Sequence, residues 1–269
     1  MKIYYQWEAW AYSNIAANLA TKNLSWKIEI LNSPTFWGVW EEISEWIVWV
    51  LPIENSYAWS IHENLYNFLR YDYKIIWEVN LEVNHCLISK EKDLSEIKKV
   101  YSHPQALSQC YNYLKSHEIE SEKHSNTAAA AKMVSESEEK WIWAISSDLS
   151  AEIYWLNILE RWIQDQKWNK TRFFIVASKN ENIAYKDLKN KVTIIFETRN
   201  IPASLYKCLW SFATNSINLT KIESLPSLKD PFSYMFWLDF EWNLEMENIK
   251  ESLKELQYFT KSLKILGEY

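Results

Sequence analysis

The feature that most constrains this chain is its scarcity of glycine: 2 Gly against 17 Trp in 269 residues. Glycine turns the backbone through φ > 0 and lets another chain segment approach closely. An ordinary chain this long carries roughly 19 glycines, which is the total of the two counts here. Where the tryptophans fall is informative. Trp7-Glu8-Ala9-Trp10 joins a predicted strand, Lys2–Gln6, to a predicted helix, Ala11–Ala20. Trp46 and Trp155 directly follow predicted helices, where a left-handed glycine would end the helix. Trp59, Trp77, Trp141 and Trp242 fall in predicted turns or strand edges. Trp40 and Trp237 sit on apolar faces, as genuine tryptophans do, and Trp37 fits either description. The pattern predicts that most tryptophans occupy positions built for glycine. Translating as Trp the UGA codons of an organism that reads them as Gly would produce it. Trp7, Trp10, Trp46, Trp59 and Trp155 are expected to be pushed outward or held in strained backbone.

From Lys2 to about Ala177, strand-like and helix-like segments alternate, which argues for an α/β fold with ligands at strand C-terminal ends and helix N-termini. Predicted strands are Lys27–Leu31, Ile47–Ile53, Lys74–Glu82, His85–Ser89, Lys99–Ser102, Ile142–Ser146 and Thr171–Ala177. Predicted helices are Val39–Glu45, Ile61–Leu69, Gln105–Lys115, Thr127–Val134 with Asn126 as N-cap, and Leu149–Tyr154. The polar stretch Ser178–Asn190 reads as a linker. Beyond it the order becomes βαββαβ: Lys191–Glu197, Ala203–Thr214, Ile217–Ser224, Ser233–Phe240, Met246–Leu256 and Ser262–Leu266. That order predicts a ferredoxin-like domain.

A net charge of −6 gives no electrostatic footprint for nucleic acid or an anionic membrane. Cys86, Cys110 and Cys208 are odd in number and widely spaced, which fits reduced thiols. His62, His117 and His124 show no metal-ligand spacing with them. With no signal-peptide core and no membrane-length apolar run, a cytoplasmic protein is expected.

With glycine at the tryptophan positions, the first loop becomes YYQGEAGAYSNIAA and a later stretch GVLPIENSYAGSI. Together with SHPQALSQC at 102–110 and NKTRFFIV at 169–176, these resemble prephenate dehydratase, in that family's order, from about Lys2 to Gly267. NLTKIESLPSLKDPFSYMFWLDFEW resembles the family's regulatory ACT domain. The resemblance implies a two-lobed, periplasmic-binding-protein-like catalytic domain over 1–178, a linker over 179–190 and a ferredoxin-like ACT domain over 191–269. It implies conversion of prephenate to phenylpyruvate with no metal and no organic cofactor. A homodimer or homotetramer is expected, with L-phenylalanine as the allosteric effector.

Aromatisation drives this reaction, so a hydroxyl donor aimed at the leaving oxygen is the minimum machinery. Thr171 matches the family's catalytic threonine; taken alone, it reads as a β-branched residue opening a strand. Arg172 offers a bidentate guanidinium to a carboxylate, or else a structural ion pair, since neighbouring strand residues face opposite ways. Phe173 completes that motif. Asn55 and Ser56 end a strand, with Glu54 beside them either orienting them or solvated. Ser102, Gln105 and Gln109 place uncharged donors at a helix N-terminus, which suits an anion, although Ser102 also reads as a cap. Ser13, on the first turn of the first helix, is a contact or a cap. His85 and His103 read as structural, because no proton leaves carbon.

For the effector, the resemblance points to Ala203, Leu205, Asn218, Glu223 and Ser224. Here the family's GAL and ESRP motifs read Ala203-Ser204-Leu205 and Glu223-Ser224-Leu225-Pro226, and Ser216 stands where glycine usually precedes Ile-Asn-Leu. A weakened or altered response to phenylalanine is expected. Competing readings are arogenate dehydratase and a non-catalytic amino-acid sensor of the same fold.

Overall fold

A computed structural model describes residues 1–6, 11–22, 28–33, 47–57, 59–94, 99–180, 183, 190–228 and 233–269. Trp7, Trp10, Trp37, Trp40 and Trp46, the helix expected at Val39–Glu45 and most of the expected linker lie outside the described residues, as does the Trp59 side chain. The chain divides into two compact units, Met1–Leu65 with Val79–Ile175, and Tyr66–Glu78 with Val176–Tyr269.

The first unit holds two sheets. One has the order β11-β3-β1-β2, from β1 (Lys2–Gln6), β2 (Glu29–Ser33), β3 (Ile47–Asn55) and β11 (Lys170–Ser178). β1 lies parallel to both β2 and β3, the pairing that buried strands joined by crossovers adopt, and the short β4 (Trp59–Ser60) pairs antiparallel with the end of β3. β3 is buried along almost all of IVWVLPIEN, which explains an apolar run without alternation. The first helix, α1 (Tyr12–Thr21), lays Ala16, Ala17 and Ala20 in the core, where small side chains allow close approach to the sheet.

The other sheet has the order β10-β6-β9-β7-β8, from β6 (Cys86–Ser89), β7 (Lys99–Ser102), β8 (Glu120–Lys123), β9 (Ile142–Ser146) and β10 (Asn157–Arg161). The helix expected over Gln105–Lys115 is two helices, α3 (Pro104–Gln109) and α4 (Tyr111–Ser116), because Cys110 at φ −110, ψ 19 interrupts it. α2 (His62–Arg70) precedes them in the chain. α5 (Thr127–Glu136) begins at Asn126, whose side chain accepts from Ala129 N at 2.7 Å. α6 (Asp148–Ile153) begins at Ser147, which accepts from Ser150 N.

In the second unit, β12 (Lys191–Thr198), α7 (Ser204–Thr214), β13 (Leu219–Pro226), β14 (Tyr234–Glu241), α8 (Glu247–Phe259) and β15 (Thr260–Glu268) follow βαββαβ. The sheet order is β13-β14-β12-β15, antiparallel throughout. Phe196, Phe212, Phe236 and Phe240 anchor its core. β5 (Tyr73–Glu82) meets β15 at Ile75 opposite Gly267, where any Cβ would collide with the Ile75 carbonyl. No helix among the described residues is long and apolar enough to cross a membrane.

Among the described residues, seven non-glycine residues have positive φ, and four are Trp141, Trp155, Trp162 and Trp242. Bulky residues are genuine outliers there, each at roughly 1–2 kcal/mol. Trp155 ends α6: its N–H reaches Glu152 O, the next N–H reaches Ala151 O, and the indole is 92% exposed. This is the glycine-type helix stop expected at that position. Trp77 departs from expectation, lying inside β5 rather than at an edge. Trp237 is fully buried with its N–H on Asp239, as a genuine tryptophan would be.

Candidate active site

The first unit carries a cavity lined by Ala11, Tyr12 and Ser13 of the α1 start, by His103, Gln105, Ala106 and Gln109 around α3, and by Asn126 and Thr127 at the α5 start. Pro52, Asn55, Ile61, Val83, His85, Thr171 and Phe173 complete it. Among these described lining residues none is Asp, Glu, Lys or Arg. Three helix starts border the space, and the first turns of α1 and α5 hold no acidic residue. Unpaired N–H groups and the positive end of the helix dipole favour an anion at such places.

Six of the ten residues expected at the site line this cavity: Ser13, Asn55, Gln105, Gln109, Thr171 and Phe173. The strand pleat explains the alternation at β11, since Thr171 and Phe173 share a face and Arg172 takes the other. Arg172 is buried against Glu54 Oε1 at 3.3 Å, and its guanidinium lies 4.7 Å from the centre of the Phe174 ring. Arg172 is therefore seen in the ion pair that is its alternative reading, Glu54 is that pair's carboxylate rather than a solvated charge, and neither lines the cavity. Ser56 Oγ donates to Trp168 O at 2.7 Å and accepts from Lys170 N, so it ties the loop after β3 to β11. Ser102 is fully buried, and its Oγ donates to Ile145 O at 2.6 Å, clamping β7 to β9. It is His103, not Ser102, that caps α3, with Nδ1 accepting from Gln105 N.

At the back of the cavity lies a group of buried amides. Asn55 Nδ2 donates to Asn169 Oδ1 at 2.8 Å and to Thr171 Oγ1 at 2.9 Å. Asn169 Nδ2 donates to Gln109 Oε1 at 2.9 Å, and Gln109 Nε2 to Asn55 Oδ1 at 3.3 Å. His85 Nε2 lies 2.7 Å from Gln109 Oε1. Sequence reading missed Asn169, although it stands two residues before Thr171, on the same face of an extended segment. It also missed Tyr12 and Asn126. Tyr12 Oη donates to Asn84 O at 2.8 Å, and burial raises its pKa well above the ordinary value.

Burial lowers the His85 pKa to about 4, so the imidazole is neutral at physiological pH. Burial also lowers that of His103. The Cys86 thiol is pushed up to about 11 by burial, and that of Cys110 is raised more strongly, so neither supplies a thiolate. No cluster of three metal-ligating side chains occurs among the described residues.

The expected effector residues all lie in the second unit. Ala203 precedes α7 at φ 59, and Leu205 packs against the core of the second unit. Asn218 and Ser224 are exposed. Glu223 pairs with Lys221 at 3.1 Å. Leu225, which replaces the motif arginine, is fully buried.

The family model for prephenate dehydratase matches residues 3–181. The chain is 41% identical over 246 residues to the prephenate dehydratase of Methanocaldococcus jannaschii, covering 91% of this chain and 88% of that one. It is 37% identical over 281 residues to arogenate dehydratase/prephenate dehydratase 2 of Arabidopsis thaliana, a chloroplastic protein, covering 100% of this chain and 72% of that one. Among solved structures, prephenate dehydratase of Arthrobacter aurescens in complex with L-Phe matches with a TM-score of 0.86 at 22% identity, covering 100% of this chain and 89% of that one. That last likeness is one of fold.

Proposed function

The chain belongs to the prephenate dehydratase family, and from that premise we propose that it converts prephenate to phenylpyruvate with Thr171 as the catalytic residue. The observation that carries the reading is the Thr171 hydroxyl. Its oxygen accepts from Asn55 at 2.9 Å, so its own hydrogen is turned elsewhere, and the side chain faces the cavity. When carbon dioxide departs, the C–C electron pair closes the aromatic ring and the C–OH bond breaks. The departing hydroxide is met by the Thr171 O–H. An ordinary threonine is a very weak acid, so its contribution is a hydrogen bond that strengthens as charge develops on the leaving oxygen. The overall reaction takes up one proton and releases water and carbon dioxide.

The substrate's carboxylates are assigned to the helix starts around Ser13, Gln105 and Thr127, since the described lining offers amides, hydroxyls and N–H groups. Arg172 and Glu54 are assigned to supporting β3 and β11. Prephenate is preferred over arogenate because the relative at 41% identity is named for prephenate alone, whereas the plant relative is named for both. We assign 1–178 to catalysis and 191–269 to an ACT-type effector domain, with L-phenylalanine as the effector and assembly as a homodimer or homotetramer. A sensor of the same fold needs no leaving-group donor, which disfavours that reading. The test is phenylpyruvate absorbance in alkali after incubation with prephenate, for wild type and Thr171→Val. Equal rates would overturn the assignment of Thr171, and no turnover by wild type would overturn the reaction.

A further inference from the structure

The three amides Asn55, Asn169 and Gln109 close a ring in which each donates to the next. Amide oxygens and nitrogens are interchangeable in shape, so such a ring has two possible directions. A backbone group breaks the tie. Tyr57 N–H, which can only donate, meets Asn55 Oδ1 at 3.0 Å. This fixes Nδ2 as the atom of Asn55 that faces Asn169 and Thr171. Asn169 must then present Oδ1 to Asn55 and Nδ2 to Gln109. Gln109 Oε1 becomes an acceptor, so His85 must carry its hydrogen on Nε2. His85 is 2% exposed, and its Nδ1 has no protein partner.

We propose that Asn169 is a positioning residue: its Oδ1 holds Asn55 Nδ2 in the orientation that keeps the Thr171 hydroxyl a donor into the cavity, and its Nδ2 passes the same order on to Gln109 and His85. The inference rests on the proposed role of Thr171. Asn169 is 4% exposed, and its backbone oxygen is held by Val83 N at 2.8 Å, so it is seated independently of any ligand. Its side chain bonds both Asn55, at the end of β3, and Gln109, at the end of α3, which also meet each other directly at 3.3 Å. Reversing the ring would turn Asn55 Oδ1 toward Thr171 and draw the hydroxyl hydrogen inward, away from the leaving group.

The test is Asn169→Asp. A protonated carboxyl can accept from Asn55 and donate to Gln109, as the amide does, whereas the ionised form cannot donate. The titratable side chain bonded to the ring is His85. Asp165 lies alongside, its N–H on the Gln109 carbonyl and its carboxylate on Asn112 N, and Lys170 and the Arg172–Glu54 pair flank Thr171. Wild type serves as the control for all of these. At pH 8 the kcat of Asn169→Asp is expected to fall at least tenfold, with KM within about threefold. As pH drops, kcat should recover toward the wild-type value. A kcat profile parallel to that of wild type would overturn the proposal. If the variant does not fold, the 15N spectrum of the His85 ring in the wild-type protein decides instead. An Nε2–H tautomer upholds the proposal and an Nδ1–H tautomer overturns it. Absence of wild-type turnover would sink the reaction assignment and leave the tautomer result to judge the ring.

Discussion

The cavity of the first unit and the β13–α7 region of the second handle their polar side chains in opposite ways. In the cavity, Asn55, Gln109, Asn169 and His85 are all nearly inaccessible and hydrogen-bonded to one another. In the second unit, Asn218 and Ser224 are exposed, and Glu223 is held by a lysine on its own strand. A buried amide without a partner costs about 1–3 kcal/mol, so the interior cluster is built completely or not at all. A surface group carries no such penalty and drifts more freely in sequence. That difference accounts for site motifs that keep the family's residues in the first unit beside effector motifs that depart from them in the second.

The contrast is open to direct attack. The largest expected effect is in the interior: Thr171→Val should lower kcat by about 10²–10⁴-fold, the usual range for a positioned proton donor, with an unchanged circular dichroism spectrum. Next come the left-handed tryptophans. Replacing Trp141, Trp155, Trp162 and Trp242 by Gly should stabilise the protein by about 1 kcal/mol per site, read as a rise in denaturant midpoint. No gain would mean that these turns are not built for glycine. Trp237→Gly should instead destabilise by about 3 kcal/mol or more, because it empties a filled core position. Glu54→Gln should cost about 1 kcal/mol, since it removes the carboxylate from a buried arginine that keeps its stacking on Phe174, with KM nearly unchanged. A large rise in KM would return Arg172 to the substrate. Smallest of all should be the response to phenylalanine, with half-maximal inhibition above about 1 mM, a binding free energy near −4 kcal/mol. Tight binding in a calorimetric titration would show that the altered second unit still carries a working effector site.

Much of this architecture was legible in the chain. Lys2–Gln6 and Lys99–Ser102 coincide with strands, and the Asn126 cap is present. Positions 203 and 216, recognised as glycine sites before any geometry, are both left-handed, at φ 59 and φ 56. Ala and Ser occupy them in place of Trp, so these are true substitutions that no codon reading explains. What escaped notice had little local signal. β8 is ESEK, exposed at every residue, and its only evidence is its pairing with β7. The break at Cys110 was hidden because the apolar spacing continues across it. Within the site, the motif context found Asn55, Gln109 and Thr171, but spacing could not show that Arg172 turns toward Glu54. Asn169 was the recoverable miss, since the period of two that pairs Thr171 with Phe173 extends back to it.

The amide ring draws one member from the end of β3 and another from the α3 side of the second sheet, and the chain passes between the two sheets beside Val83, bonded to Asn169, and His85, bonded to Gln164. Asn55, Asn169 and Thr171 all stand at the ends of β3 and β11, so the bond that aims the threonine lies within one sheet, and α3 reaches it as a brace through Gln109. The chemistry is thus anchored to one wall of the cavity, and the opposite wall steadies it.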